Sequence, residues 1–234
     1  MIHGRTDVGQ KRDLNEDSFA FEKLKKGYVM IVSDGMGGHN AGEVASAMAV
    51  EKIREFCETQ DMFSNPEMML RKAVSYANEA IYNASVENAK MHGMGATLVV
   101  ALGYGKNIYI ANVGDSRAYH ITKESMTQVT QDHSYVYELV KSGLITPEEA
   151  KIHPRRNEIT KALGIAPEVY PDIFPIQVQR TDKLLLCTDG LTEVVSEQEI
   201  FETVNRLNRQ TACDTLVRRA NENGGPDNIT VVLM

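Results

Sequence analysis

Four apolar, strand-like runs in this chain each lead to or from an aspartate beside glycine or asparagine. Residues 28–32 run into Ser33-Asp34-Gly35, and residues 108–111 lead to Val113-Gly114-Asp115. Residues 183–187 lead to Thr188-Asp189-Gly190, and Gly224-Gly225-Pro226-Asp227-Asn228 precedes the run 229–233. A single Asp-Gly pair marks only a turn after a strand. Recurrence changes the reading, because a buried strand fixes position while glycine lets the backbone approach a ligand closely. Acids held at neighbouring strand ends converge, and crowded carboxylates repel unless a cation or a shared proton holds them. The pattern points to one multi-carboxylate metal site. All-oxygen donors suit hard cations such as Mg²⁺ or Mn²⁺, whereas zinc draws on His or Cys.

The elements that position these acids are legible in outline. Ala45, Ala49, Ile53 and Phe56 recur at helical spacing. Asn65-Pro66-Glu67 reads as a cap followed by proline at the first helical position, opening a helix with Met69, Ala73, Tyr76, Ala77, Ala80 and Ala84 on one side. From 96 to 129 the pattern turns to β, with strands at 97–102, 108–111 and 117–121 read as a hairpin meander. Residues 132–167 mix short helical pieces around 135–141 and 147–152 with the breakers Pro154 and Pro167, an insert expected to be the most mobile part. Strands return at 173–178 and 184–187, followed by helices near 197–207 and 212–223 and a last strand at 229–233. This order is α+β and not strict βαβ alternation. It predicts an antiparallel β-sandwich flanked on both sides by pairs of α-helices. No linker or low-complexity stretch divides residues 1–234, so one domain is expected, with the insert at about 132–167.

Composition narrows the function. A chain of 234 residues with 42% hydrophobic and 24% charged content is an ordinary globular protein with enough core to need no disulfide. Its net charge of −7 supplies no basic field for nucleic acid or an anionic membrane. Cys57, Cys187 and Cys213 are scattered without metal-ligand spacing and read as reduced core residues. No run approaches the ~18 apolar residues of a membrane span, and no apolar signal segment opens the chain, so the expected location is cytoplasmic.

Near the start, Arg12 precedes Glu16-Asp17 within residues 6–18. Set beside Ser33-Asp34-Gly35-Met36-Gly37-Gly38, Gly95-Ala96-Thr97, Val113-Gly114-Asp115-Ser116-Arg117, Cys187-Thr188-Asp189-Gly190 and Gly224-Gly225-Pro226-Asp227-Asn228, in that order, it closely resembles the metal-dependent type 2C Ser/Thr protein phosphatases, above all their short bacterial members. No single piece is diagnostic; the ordered set is. The resemblance implies a β-sandwich between helices with a two-metal centre at one end. It implies that Asp34 bridges two Mn²⁺ or Mg²⁺ ions, that Gly35 lends a carbonyl, that Glu16 serves one ion, and that Asp189 and Asp227 serve the other. Asp115, with Asp189, matches the site of a third ion in bacterial members. Asp17 and Asn228 match side chains that support the ligands from outside, and Arg12 matches the grip on the substrate phosphate. A planar guanidinium can hold two phosphate oxygens at once, which lysine cannot.

One departure stands out. The better-known eukaryotic members carry a histidine directly after the Asp-Gly, where this chain has Met36, and the general acid is then either His39 as a substitute or a metal-bound water. The insert resembles the family's variable flap and holds Lys141, Lys151, His153, Arg155, Arg156 and Lys161, a local basic excess suited to acidic phosphopeptide surroundings. The resulting expectation is a monomeric enzyme hydrolysing phosphoserine and phosphothreonine in proteins, opposing a bacterial Ser/Thr kinase that the resemblance makes one of its substrates. A catalytically weak phosphoprotein-binding pseudophosphatase is the alternative, opposed by the intact Glu16, Asp34, Asp189 and Asp227. A two-metal phosphodiesterase or nuclease is disfavoured by the lack of a basic channel.

Overall fold

Residues 29–33, 98–103 and 229–233 are buried without interruption, which in a strand requires cover on both faces. The computed structural model, which describes residues 2–37 and 41–234, provides that cover with four layers. In chain order the elements are β1 (His3–Asp7), β2 (Asp17–Lys23), β3 (Tyr28–Met36), α1 (Gly42–Thr59), α2 (Pro66–Glu87), β4 (Gly95–Ala96), β5 (Leu98–Tyr104) and β6 (Asn107–Val113). Then come β7 (Arg117–Ile121), β8 (Met126–Gln128), α3 (Tyr135–Lys141), α4 (Pro147–Lys151), β9 (Asp172–Gln177) and β10 (Lys183–Cys187). The chain closes with α5 (Asp189–Thr192), α6 (Glu197–Arg206), α7 (Arg209–Glu222) and β11 (Ile229–Leu233).

The strands form two antiparallel sheets, one in the order β1-β11-β10-β7-β8 and the other β2-β3-β5-β6-β9, with the short β4 paired antiparallel to the end of β3. Alternation along each strand divides the apolar residues among three cores. Met30, Val32, Val99, Ile110, Leu184, Leu186 and Val232 meet between the sheets. Val29, Ile31, Val100 and Leu102 face α1 and α2 on one outside. Leu185, Cys187, Val231 and Leu233 face α6 and α7 on the other. The expected helix-flanked sandwich is thus the observed architecture. All three cysteines are buried thiols, and among the described residues no helix is long and apolar enough to cross a membrane.

The local signals behave as read. Asn65 accepts a hydrogen bond from the Met68 N–H with Pro66 just inside the helix, and α6 opens with a reciprocal capping box between Ser196 and Glu199. Two expectations are corrected. The buried stripe of α2 runs through Met69, Leu70, Ala73, Val74, Ala77 and Ile81, while Tyr76 is rotated outward to hydrogen-bond Glu55. The larger aliphatics Leu70, Val74 and Ile81 claim the core, and the alanines Ala80 and Ala84 stand at its edge. The meander also fails: β5 and β6 are a hairpin, but β7 pairs with β10 and β8 in the opposite sheet. The chain changes sheets at Gly114, whose φ of +101° is open to glycine and strained for any other residue. β1, β2 and β8, which periodicity alone did not reveal, supply edge or near-edge partners.

Leu186 is fully buried between the sheets. Leu186→Ala is expected to cost about 2–5 kcal/mol, read as a lower urea midpoint with an unchanged denaturant slope. An unaltered midpoint would show that the two sheets do not share one core.

Candidate active site

One end of the sandwich collects the ends of strands from both sheets. Asp17 begins β2 opposite Asp34 on β3, Asp115 follows β6, Asp189 follows β10, and Asp227 and Asn228 precede β11. Asp34 sits on a strand held by Thr97: its N–H donates to Thr97 Oγ1 at 2.9 Å, Ser33 Oγ donates to the Thr97 carbonyl at 2.7 Å, and the Thr97 N–H donates to the Asp34 carbonyl at 2.8 Å. The Thr97 hydroxyl is also bonded to Ser116 Oγ at 2.8 Å, which joins the Asp34 strand to the Asp115 crossover. Gly35 packs so closely that a Cβ there would lie 2.0 Å from the Gly42 carbonyl oxygen, so no other residue fits between β3 and α1.

The remaining acids are placed by amides and hydroxyls. Asn228 accepts the Glu16 N–H at 2.8 Å and donates to the carbonyls of Val8 and Leu14, both at 2.9 Å, tying the loop that carries Arg12 and Glu16 to the start of β11. The Glu16 carboxylate lies against Gly42 at the start of α1 and accepts its N–H. Thr188 Oγ1 donates to Asp17 Oδ2 at 2.9 Å and accepts the Thr230 N–H at 3.0 Å. Arg12, half-exposed, donates from Nη2 to Asp227 Oδ2 at 2.8 Å. Asp189 opens the helical turn α5 instead of a hairpin turn.

The electrostatics follow from this crowding. Burial holds the Asp34 carboxyl well above the usual range, reinforced by Asp17, Asp189, Asp115 and Asp227. Asp189 is raised in the same way by burial and by Asp115, Glu193, Asp227 and Asp17. Burial pushes Asp17 up to about 7, against hydrogen bonds from Thr230 and Thr188 that favour its charged form, and pushes Asp115 up to about 6. Glu16 is raised by burial, offset in part by Arg12. Arg12 itself is held more firmly protonated, first by its hydrogen bond to Asp227.

Asp17, Asp34, Asp115, Asp189 and Asp227 are therefore brought together, with Glu16, Arg12 and Asn228 at the rim. His39 lies outside the described residues. The sequence did not single out Thr188, Thr230, Thr97 and Ser116 as supports, although Ser33, Ser116 and Thr188 each adjoin one of the acids. Nor did it single out Glu43 and Glu193, whose charges act on Glu16 and Asp189. Part of the insert's basic excess is already spent: Arg155 stacks 3.6 Å from the Tyr135 ring and pairs with Glu158, and Lys161 pairs with Asp172. Arg156 keeps its charge toward Glu193, whose carboxyl it favours in the charged form against burial.

Do these residues suit divalent cations? Oxygens of Asp17, Asp189 and Glu43 are buried without a hydrogen-bond partner among the described residues, and the neighbours that raise Asp34 and Asp189 are themselves carboxylates. Among the described residues no three Asp, Glu, His or Cys side chains form a ready-made ligand set by themselves. Carbonyls and water would complete each shell, as Mg²⁺ and Mn²⁺ accept. The residues fit hard cations.

Comparison with known proteins gives a consistent picture. A family model described as protein phosphatase 2C matches residues 7–224. The serine/threonine phosphatase stp of Listeria innocua is 42% identical over 235 residues, covering 98% of this chain and 93% of its own. The crystal structure of serine/threonine phosphatase Stp1 from Staphylococcus aureus superposes with a TM-score of 0.95 at 40% identity, covering 99% of this chain and 93% of its own. A crystal structure of the catalytic domain of the serine/threonine protein phosphatase PstP with two manganese ions superposes with a TM-score of 0.89 at 34% identity, covering 100% of this chain and 96% of its own.

The raised carboxyls set a sign for pH. Unfolded aspartates titrate near 3.9, whereas without metal the folded chain keeps protons on Asp17 to about 7 and on Asp115 to about 6. The folded state then binds more protons than the unfolded across that window, so stability falls as pH rises through it. In chelator, the thermal midpoint is expected to drop by several degrees between pH 5 and pH 8. Mn²⁺ at about 100 times its Kd should restore ~2.7 kcal/mol, with the larger recovery at pH 8. A midpoint that climbs with pH in chelator would contradict the crowded-carboxylate site.

Proposed function

The chain belongs to the protein phosphatase 2C family, and from that membership we propose that Glu16, Asp34, Gly35, Asp189 and Asp227 hold two Mn²⁺ or Mg²⁺ ions, with Asp115 and Asp189 toward a third. The enzyme is a metal-dependent Ser/Thr protein phosphatase that hydrolyses phosphoserine and phosphothreonine in proteins. The observation that carries the assignment is the convergence of Asp17, Asp34, Asp115, Asp189 and Asp227 on one another's charge, with unpartnered oxygens on Asp17 and Asp189. When bound, two such ions supply Lewis acidity to the phosphoryl oxygens and make water a nucleophile near neutral pH.

The protein's own residues divide the remaining work. Arg12 has one of its five N–H donors on Asp227, and that bond aims the guanidinium beside the acids, where it grips phosphate oxygens. Asn228 holds the Glu16 backbone and the Val8 and Leu14 carbonyls, so Arg12 and Glu16 keep one register with Asp227. Thr188 steadies the Asp17 carboxylate behind the ligands. His39 is proposed to protonate the departing seryl or threonyl oxygen, the role that a histidine at the position of Met36 has in the eukaryotic members.

Residues 1–234 are proposed to act as one catalytic unit, with 132–167 as a flap that meets acidic phosphopeptide surroundings through Lys141, Lys151 and Arg156. A monomer in the cytoplasm, acting on phosphoproteins that include a cognate Ser/Thr kinase and not on nucleic acid or membrane, completes the proposal.

Hydrolysis of a phosphothreonine peptide and of p-nitrophenyl phosphate in Mn²⁺, Mg²⁺ or chelator tests the assignment. Asp34→Asn is expected to reduce Mn²⁺-dependent turnover by more than ~100-fold, the upper cost of losing even an outer supporting contact. Arg12→Lys should lower kcat/KM by about 10–100-fold, the equivalent of one charge-assisted hydrogen bond. Full turnover by Asp34→Asn would refute the bridging role; phosphopeptide binding without turnover in the unaltered protein would mark a pseudophosphatase. For the general acid, His39→Gln should erase the alkaline limb of the kcat profile, and an unchanged limb would remove His39 from the reaction.

A further inference from the structure

The Asp115 crossover is held from outside the acid cluster by a histidine that the reaction does not use. The Gly114 N–H donates to His133 Nδ1 at 3.0 Å, and the His133 N–H donates to the Gly114 carbonyl at 2.9 Å. This reciprocal pair clasps the residue next to Asp115, at the point where a positive-φ glycine carries the chain from one sheet to the other. His133 is itself tied down on its far side. Its Nε2 lies 3.3 Å from Asp172 Oδ2 at the start of β9, and its carbonyl accepts the Thr160 N–H at 2.8 Å. His133 therefore touches the crossover, the return limb of the insert and the edge strand of the second sheet.

The bonding settles which nitrogen carries the proton. An acceptor at Nδ1 requires the hydrogen on Nε2, where Asp172 receives it. The Lys161 ammonium, 3.3 Å from both Nε2 and Asp172 Oδ1, donates to Asp172 and to the Tyr170 carbonyl at 3.2 Å. Burial and the Lys161 charge hold His133 below its ordinary value, outweighing Asp172, in keeping with a neutral ring. Next to it, Arg117 donates from Nε to Asp132 Oδ1 and from Nη2 to Asp132 Oδ2, so both flanks of Asp115 are fastened to the root of the insert.

We infer that His133 is a positioning residue that sets the Asp115 carboxylate through its clasp on Gly114, with Asp172 fixing its tautomer; the inference rests on the proposed role of Asp115 as a metal ligand. Asp115 is repelled by its acidic neighbours, and the glycine before it offers no resistance to drift. The clasp supplies that resistance without adding a positive charge that would compete with a cation. Outer partners of this kind alter metal affinity by about 10–100-fold when removed.

Calorimetric titration of the full chain with Mn²⁺ tests this, comparing the unaltered protein with His133→Ala, His133→Asn and Asp115→Asn. In His133→Ala the weakest binding component is expected to fall about 10–100-fold while the tight components keep their affinity. His133→Asn, whose Oδ1 can still accept the Gly114 N–H, should recover most of that loss. A His133→Ala isotherm identical to the unaltered one overturns the inference, as does an equal weakening of every component that His133→Asn does not rescue. If Asp115→Asn itself leaves the isotherm unchanged, the underlying ligand assignment fails and the inference with it. Long-range ¹H–¹⁵N spectra of the metal-free protein give an independent reading: the Nε2–H tautomer is expected for His133, and an Nδ1–H tautomer refutes the clasp.

Discussion

Mutual repulsion among half-buried carboxylates at one end of the sandwich is the constraint to which much of the surrounding structure answers. Asp34 is raised by four neighbouring aspartates in addition to its burial, and Asp189 by three aspartates and Glu193. A protein can quench such a cluster with its own lysines and arginines, but that would leave nothing for a cation to do. This chain restrains the acids mainly with neutral groups. Thr97, Thr188, Thr230 and Asn228 make neutral hydrogen bonds, some donating and some accepting, that fix position and leave the negative charge in place. Arg12 is the cation bonded directly to one of the proposed ligands, and it is half-exposed at the rim. The cost of gathering the charge is carried by the folded core, since three separate apolar layers hold the strand ends where they are.

The acids themselves were legible because each combines a recognisable apolar run with a turn residue, two signals of different physical origin that coincide. The helices around Pro66 and Glu197 were equally plain, since caps act locally and their residues lie adjacent in sequence. Sheet membership was not legible. β6 and β7 look like successive strands of one meander, yet Gly114 sends them to opposite sheets, and no periodicity distinguishes a hairpin from a crossover when both faces of both strands are buried. The outward turn of Tyr76 was hidden for a related reason: its partner Glu55 lies on the neighbouring helix.

The supports were harder to read than the ligands. Thr97 stands in the ordered set of motifs, but its hydrogen bonds to Asp34 and Ser116 depend on β4, β5 and the crossover meeting in space. Asp172 and His133 are 39 residues apart, and their contact follows from the insert folding back on the edge of the second sheet. Composition overstates the insert's charge, since Arg155 and Lys161 neutralise acids of their own neighbourhood. Charge counts give the field of a segment only after internal pairs are removed.

β11 lies between β1 and β10, with Leu233 opposite both His3 and Leu185. It is the last strand of the sheet to be synthesised and the one through which the earlier strands are joined. Asp227 and Asn228 arrive on its leading end, and Asn228 is what seats the loop bearing Arg12 and Glu16. A chain still emerging from the ribosome thus has its first and penultimate strands without the member between them, and its acids without their organiser. Products of translation or proteolysis that lack this strand would therefore circulate as inert fragments and not as unregulated enzymes.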